Sequence, residues 1–181
     1  MKRNILIMIV ILSTNMFSQN AISKGSYTLN GSISYMKYSY DDNSSDQTYF
    51  FISPSLGYFF IDNLYTSISL GYVYYTSENF SNNNFHLGPD IRYYFPIDKL
   101  SPFIGVGLYY GIGTTSDSDD NTTTFEYNFN AGVDYFIHPN VALEGSLNYG
   151  LHSFKYKNQG SEVTSDYKLF TFKIGVQYFI F

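Results

Sequence analysis

Six charged residues share one phase of an otherwise uncharged alternation: Asp90, Arg92, Glu126, Asp134, Glu144 and Lys173. They are the first candidates for chemistry. A carboxylate pair such as Asp134 and Glu144 can divide acid and base roles, but nothing in the sequence sets a nucleophile or a substrate pocket beside them. The simpler expectation is electrostatic. Arg92 and Lys173 should pair with the four carboxylates, because a buried charge without a partner is costly. Asp90, Asp134 and Glu144 fall with Arg92 toward one end of the strands, while Glu126 and Lys173 fall toward the other. The same six residues admit a second reading, as the lining of a narrow ion or solute pathway.

The histidines offer less. His152 and Ser153 are adjacent, and neighbours in a strand point to opposite faces, which does not suit a His–Ser pair aimed at one substrate. His86 reads as a rim residue and His138 as a turn residue. No two histidines have metal-ligand spacing, and cysteine is absent. The chain is therefore expected to be no enzyme and to hold no metal or cofactor. The acidic stretch DSDDN, Asp117 to Asn121, offers oxygens to a divalent cation but lacks the spacing of a helix–loop–helix calcium loop. With Asp41, Asp42, Asp46 and Glu78 it reads as a hydrated loop surface.

What must position these residues is a set of eight segments of period two. Their apolar positions run from Tyr27 to Tyr35, Phe50 to Phe60, Leu64 to Tyr74, Phe85 to Phe95, Leu100 to Ile112, Phe125 to Ile137, Val141 to Leu151, and Phe170 to Ile180. A tilted strand needs about 9–11 residues to cross a bilayer, and each segment supplies that length. The links alternate too. Tight turns at Ile61 to Leu64, Pro96 to Lys99 and Ile137 to Asn140 contrast with expected long polar loops at Ser39 to Gln47, Thr76 to Asn84, Gly113 to Thr124 and Ser153 to Asp166.

Alternation alone fits a soluble barrel, which puts its apolar face inside. The distribution of residue types separates the two cases. The apolar phase carries no charge, although 14% of the chain is charged. The opposite phase is rich in Gly, Ser, Asn and Tyr and is no solvated Lys/Glu surface. Depth adds the stronger argument. Tyr27, Tyr58, Phe60, Tyr93, Phe95, Tyr135 and Tyr178 fall at the short-turn rim, and Tyr35, Phe50, Tyr72, Tyr74, Phe85, Tyr110, Phe125, Tyr127, Tyr149, Phe170 and Phe172 at the other. Leu56, Leu70, Leu87, Ile91, Ile104, Val106, Ala131, Val133, Leu143, Leu147, Ile174 and Val176 lie between. Two aromatic girdles around an aliphatic belt match the two membrane interfaces. Open edges cannot persist in hydrocarbon, so the sheet must close. The expected fold is all-β: an eight-stranded antiparallel up-and-down transmembrane β-barrel over residues 25–181, its lumen polar and mostly filled. Pro54 and Pro89 interrupt strands and predict a bulge or bend.

Residues 1–20 read as a signal peptide: Lys2 and Arg3, then the apolar run ILIMIVIL, with cleavage between Ser18 and Ala21. Their removal takes the net charge from −5 to about −7, because they hold two basic residues and no acid. No basic patch remains for a nucleic-acid partner.

The segments SPSLGYFFIDNLYTSISLGYVYY (Ser53 to Tyr75), HLGPDIRYYFPIDKLSPFIGVGLYYG (His86 to Gly111) and FNAGVDYFIHPNVALEGSLNYG (Phe129 to Gly150) repeat one hairpin theme, an aromatic strand end followed by a D/N/P turn. In this the chain resembles the outer-membrane protein β-barrel domain family, the small porin-family barrels similar in form to the OmpA transmembrane domain and OmpX. The resemblance implies an outer-membrane location, and short turns at one end with long loops at the other put both termini in the periplasm. It also implies a surrounding of outer-membrane lipid and lipopolysaccharide, and insertion by the barrel-assembly machinery. It implies no single shared activity. The expected role is that of a monomer, structural or at the cell surface; an extracellular ligand at the long loops and a small porin stay open as alternatives. Such barrels end on an aromatic in the lipid-facing phase, whereas here Phe181 follows Ile180 one residue out of phase.

Overall fold

The computed structural model describes residues 21–38, 47–77, 80–115, 118–158 and 161–181. Residues 1–20, read above as a signal peptide, lie outside them, as do Asp41, Asp42, Asp46, Glu78 and Asp117. Eight strands form: β1 (Tyr27–Tyr38), β2 (Gln47–Ile61), β3 (Leu64–Ser77), β4 (Phe80–Tyr94), β5 (Leu100–Thr115), β6 (Ser118–His138), β7 (Val141–Asn158) and β8 (Ser161–Ile180). Each pairs antiparallel with its sequence neighbours, and β8 returns to β1 to close the barrel.

The short turns are built as their residues dictate. Asn63 and Asp98 take positive φ, at 66° and 56°, and Asn and Asp bear the left-handed region best among residues with a Cβ. The chain before β1 folds under this end. Asn63 N–H donates to the Ile22 carbonyl at 3.1 Å, and Gly25 N–H to the Phe59 carbonyl at 2.8 Å. Lys24 N–H donates to Asp62 Oδ1 at 2.8 Å.

Three of the expected long loops are corrected. The β3–β4 ladder runs to Ser77↔Phe80, β5–β6 to Thr115↔Ser118 and β7–β8 to Asn158↔Ser161. The stretches Thr76 to Asn84, Gly113 to Thr124 and Ser153 to Asp166 are thus mostly continued hairpins. Their alternation vanishes because a strand that has left the bilayer meets water on both faces. Backbone pairing persists there without an apolar phase to announce it.

Pro54 and Pro89 produce neither bulge nor register shift. Pairing between β2 and β3 skips from Ile52↔Tyr72 to Ser55↔Ser69, and between β4 and β5 from Leu87↔Tyr110 to Asp90↔Gly107, with the register unchanged. Each proline faces outward and interrupts one ladder, which its missing N–H cannot complete. Ile180 pairs with Tyr27 at the outward-facing end of β8, and Phe181 follows the strand.

The outer face is apolar as its phase required. Leu70 is 60% exposed and Ile104 56%, with the aromatic girdles at either side. Val106→Lys, in mid-belt, is expected to cost about 2–4 kcal/mol and Ile137→Lys, at the short-turn rim, only about 0–1. Urea titration of the protein folded in lipid vesicles measures both. Equal costs at the two depths would sink the assignment of this face to hydrocarbon.

Candidate functional site

The lumen has three layers, and the innermost departs from expectation. Where a polar filling was predicted, Phe59, Phe103, Phe136 and Phe179 stand on the inward phase with Tyr65 and Tyr94, all buried. Their rings interlock: Phe59 lies 5.1 Å from Tyr65, 5.5 Å from Tyr94 and 6.4 Å from Phe179, and Phe136 lies 4.9 Å from Phe179. Ala21 and Ile22 close the cluster from below. The lumen at the short-turn end is a packed aromatic core. Gly57 leaves room for it, since a Cβ there would collide with the Tyr65 ring.

Above the aromatics sits Arg92. Its Nε donates to Asp90 Oδ1 at 2.7 Å and its Nη1 to Glu144 Oε2 at 2.8 Å. Beneath it the Phe103 ring centre is 4.5 Å from the guanidinium carbon, a separation at which the ring face attracts the cation. Amides add to these bonds, Asn30 on the Glu144 oxygen that Arg92 already holds and Asn130 on the second Asp90 oxygen. Asn30 Nδ2 donates to Glu144 Oε2 at 2.9 Å and Asn130 Nδ2 to Asp90 Oδ2 at 2.7 Å. Asp134 lies opposite Glu144 in the β6–β7 register, fully buried, and makes no ion pair among the described residues. Arg92 directs its Nε and Nη1 to Asp90 and Glu144 and makes no ion pair with Asp134.

The outer half holds a cavity of about 390 Å³. Glu126 enters it from β6, His152 from β7, Lys173 from β8 and His86 from β4. Asn128 Nδ2 donates to Glu126 Oε1 at 2.9 Å, and His152 Nδ1 stands 3.6 Å from Glu126 Oε2. His152 stacks flat on Tyr167 at 4.6 Å.

Two expectations need correction here. Lys173 does not join the ion pairs. Among the described residues no carboxylate comes within ion-pair distance of it, and its Nζ lies 4.4 Å from the Phe51 ring centre instead. The β8 strand carries it to the Phe51 side of the outer lumen, apart from Asp90 and Glu144. His86 is no rim residue but a buried lumen residue, because β4 continues outward to Phe80. Its parity with Asp90 and Arg92 was the signal that places it. Ser153 faces away from His152, as strand alternation requires. Among the described residues no three His, Cys, Asp or Glu side chains converge as metal ligands. The side chains of Ser118 to Asn121, most of the DSDDN stretch, lie outside the described set.

The comparisons agree with this architecture. The model of the family described as "Outer membrane protein beta-barrel domain" matches residues 5–179. Among solved structures, the chain is similar to Neisserial surface protein A, with 19% identity, TM-score 0.59, and coverage of 86% of this chain and 97% of that one. The N-terminal β-barrel domain of Pseudomonas aeruginosa OprF matches at 20% identity and TM-score 0.55, covering 87% of this chain and 98% of that one. OprG from the same organism matches at 12% identity and TM-score 0.60, covering 87% and 97%. At such identities the likeness is one of fold. No curated protein matches by sequence.

Proposed function

The chain belongs to the outer membrane protein β-barrel domain family, and from that premise we propose that it is a structural, surface-presenting barrel whose lumen does not conduct. It lies in the outer membrane, crossed by strands, with both termini periplasmic. Outer-membrane lipid and lipopolysaccharide surround such a barrel, and the barrel-assembly machinery inserts it. The observation that carries the closed lumen is the aromatic core of Phe59, Tyr65, Tyr94, Phe103, Phe136 and Phe179 at the periplasmic end. An eight-stranded barrel is just wide enough for its interior side chains to fill. Interlocked rings leave no file of water beneath Arg92. In this reading the ion pairs brace the barrel and take part in no reaction, and the protein acts as a monomer without enzymatic activity.

The hairpins that stand beyond the outer girdle supply the surface. The β7–β8 hairpin pairs continuously from Val141↔Tyr178 to Asn158↔Ser161 and carries Lys155 and Asp166 at exposed positions. Mixed charge of that kind suits a polar extracellular contact.

Planar-bilayer recording of the folded protein tests the closed lumen. The expected trace is flat, without stable single-channel steps. Regular steps whose size changes on neutralising Arg92 or Lys173 would overturn the reading in favour of a small porin.

A further inference from the structure

The barrel closes unequally. The β1–β8 ladder begins at Tyr27↔Ile180 and stops at Ile33↔Ile174. One side-chain bond follows, from Ser34 Oγ to the Phe172 carbonyl at 2.9 Å. Beyond it no β1–β8 backbone pair forms among the described residues, although β1 continues to Tyr38 and β8 reaches back to Ser161. The other seven ladders each span nearly the whole of the shorter strand. The unpaired stretch begins at Tyr35 and Phe172, which are 65% and 55% exposed and belong to the outer aromatic girdle. The β1–β8 seam is therefore without backbone pairing at the depth of the outer membrane interface.

The outer cavity reaches this seam, since Ser34, Thr171 and Lys173 line it. Phe51, Val73 and Leu169 give it apolar walls. Lys173 is a half-buried cation with no ion-pair partner among the described residues. Glu126, the one carboxylate among the described lining residues, is taken up by Asn128 and faced by His152. His86 and Asn128, both less than a tenth exposed, keep Nδ1 and Oδ1 without hydrogen-bond partners at the same cavity. The lone cation within apolar walls favours a ligand with an anionic head and a greasy body; of the two free polar atoms only the His86 imidazole can donate to that head, since an amide oxygen accepts. An amphiphile of that class rests at the interface with its charge at headgroup depth, level with the seam.

We propose that the outer cavity binds a single-chain carboxylate amphiphile, which reaches it sideways between β1 and β8 and sets its carboxylate on Lys173. The apolar chain lies along Phe51, Val73 and Leu169. The aromatic core below ends the path, so the ligand is held and not passed on. That last point rests on the closed lumen proposed above, whereas binding does not; ligand labelling reads the cavity and conductance reads the core, so the two can fail separately.

The test uses the protein in lipid nanodiscs with decanoic acid bearing a terminal diazirine, and its neutral amide as control. Photolysis and peptide mass spectrometry are expected to place adducts on the segments around Phe51 and Leu169. A hydrogen bond to a charged group supports about a ten-fold preference of the acid over the amide. Lys173→Gln should lose that preference, while Lys173→Arg keeps it and Lys168→Gln, outside the cavity lining, leaves it unchanged. Heat-modifiable migration on gels identifies folded protein in each case. Equal labelling of wild type and Lys173→Gln, or adducts confined to outward residues such as Phe172 and Ile174, would overturn the site. The route has its own check. The chain lacks cysteine, so Tyr35→Cys with Phe172→Cys, the next outward pair in register, allows a disulfide across the seam. Oxidation should lower labelling several-fold and reduction restore it; labelling indifferent to oxidation would overturn lateral access.

Discussion

Arg92→Gln is expected to cost about 3–5 kcal/mol of unfolding free energy, because it leaves buried carboxylates without their cation. Asp90 is 1% exposed and Glu144 4%, and Arg92 bonds both at 2.7 and 2.8 Å. Asp134, also buried, stands across the ladder from Glu144. Removing the guanidinium therefore leaves three buried carboxyl groups together with only neutral amides and hydroxyls to serve them. Arg92→Lys should recover only part of the loss. An ammonium is a point charge, whereas Nε and Nη1 of the planar fork reach two acceptors at once. Glu144→Gln in the Arg92→Gln background should cost less than Glu144→Gln alone, since the two share one interaction. Urea unfolding from lipid vesicles, followed by tryptophan-free near-UV signals or gel migration, gives the free energies. A loss below about 1 kcal/mol for Arg92→Gln, the range of exposed pairs, would mean that water reaches these carboxylates and that the lumen is not closed there.

The strands that cross the membrane were legible because lipid imposes a rule on every second residue. Leu70, Ile104 and Ile174 face outward as their phase demanded, and Asp62–Asn63 turns where the polar dipeptide sits between apolar runs. The rule stops at the outer girdle. Asn82 to Asn84 pair with Tyr75 to Val73 on one side and with Thr115 to Gly113 on the other, yet in sequence they look like a loop. The inward phase is harder, because it answers to its neighbours around the lumen and not to a solvent. Phe59, Phe103, Phe136 and Phe179 share that phase with Asp90 and Asp134. Only closure of the sheet gathers them from four strands into one layer. Ion-pair partners follow the same logic. Arg92 meets Asp90 two residues away and Glu144 across the lumen. Lys173 passes Glu126 and meets Phe51, a choice fixed by barrel stagger that no spacing along the chain expresses.

Phe59→Ala and Phe179→Ala should each cost about 3–5 kcal/mol, the range for deleting a buried aromatic whose surroundings cannot collapse. Both side chains are fully buried, and Phe59 touches the rings of Tyr65, Tyr94 and Phe179. At the short-turn end all eight strand pairs, β1–β8 included, hold the backbone at fixed diameter, so little movement is available to fill the void. Phe60→Ala serves as the contrast. Its ring is 40% exposed on the lipid side, where acyl chains flow into the vacated space, and its loss should stay under about 1.5 kcal/mol. The two inward mutations together should do more than weaken the fold. The void they leave lies against Tyr65 and Tyr94, and Tyr65 in turn faces Arg92; the charges and amides of that layer can order water, and current should then appear in planar bilayers where the parent protein gives none. Stable protein and a flat trace for the Phe59→Ala/Phe179→Ala pair would mean that the ion-pair layer seals the lumen by itself. Steps in the pair, absent from Phe60→Ala, would identify the aromatic core as the barrier.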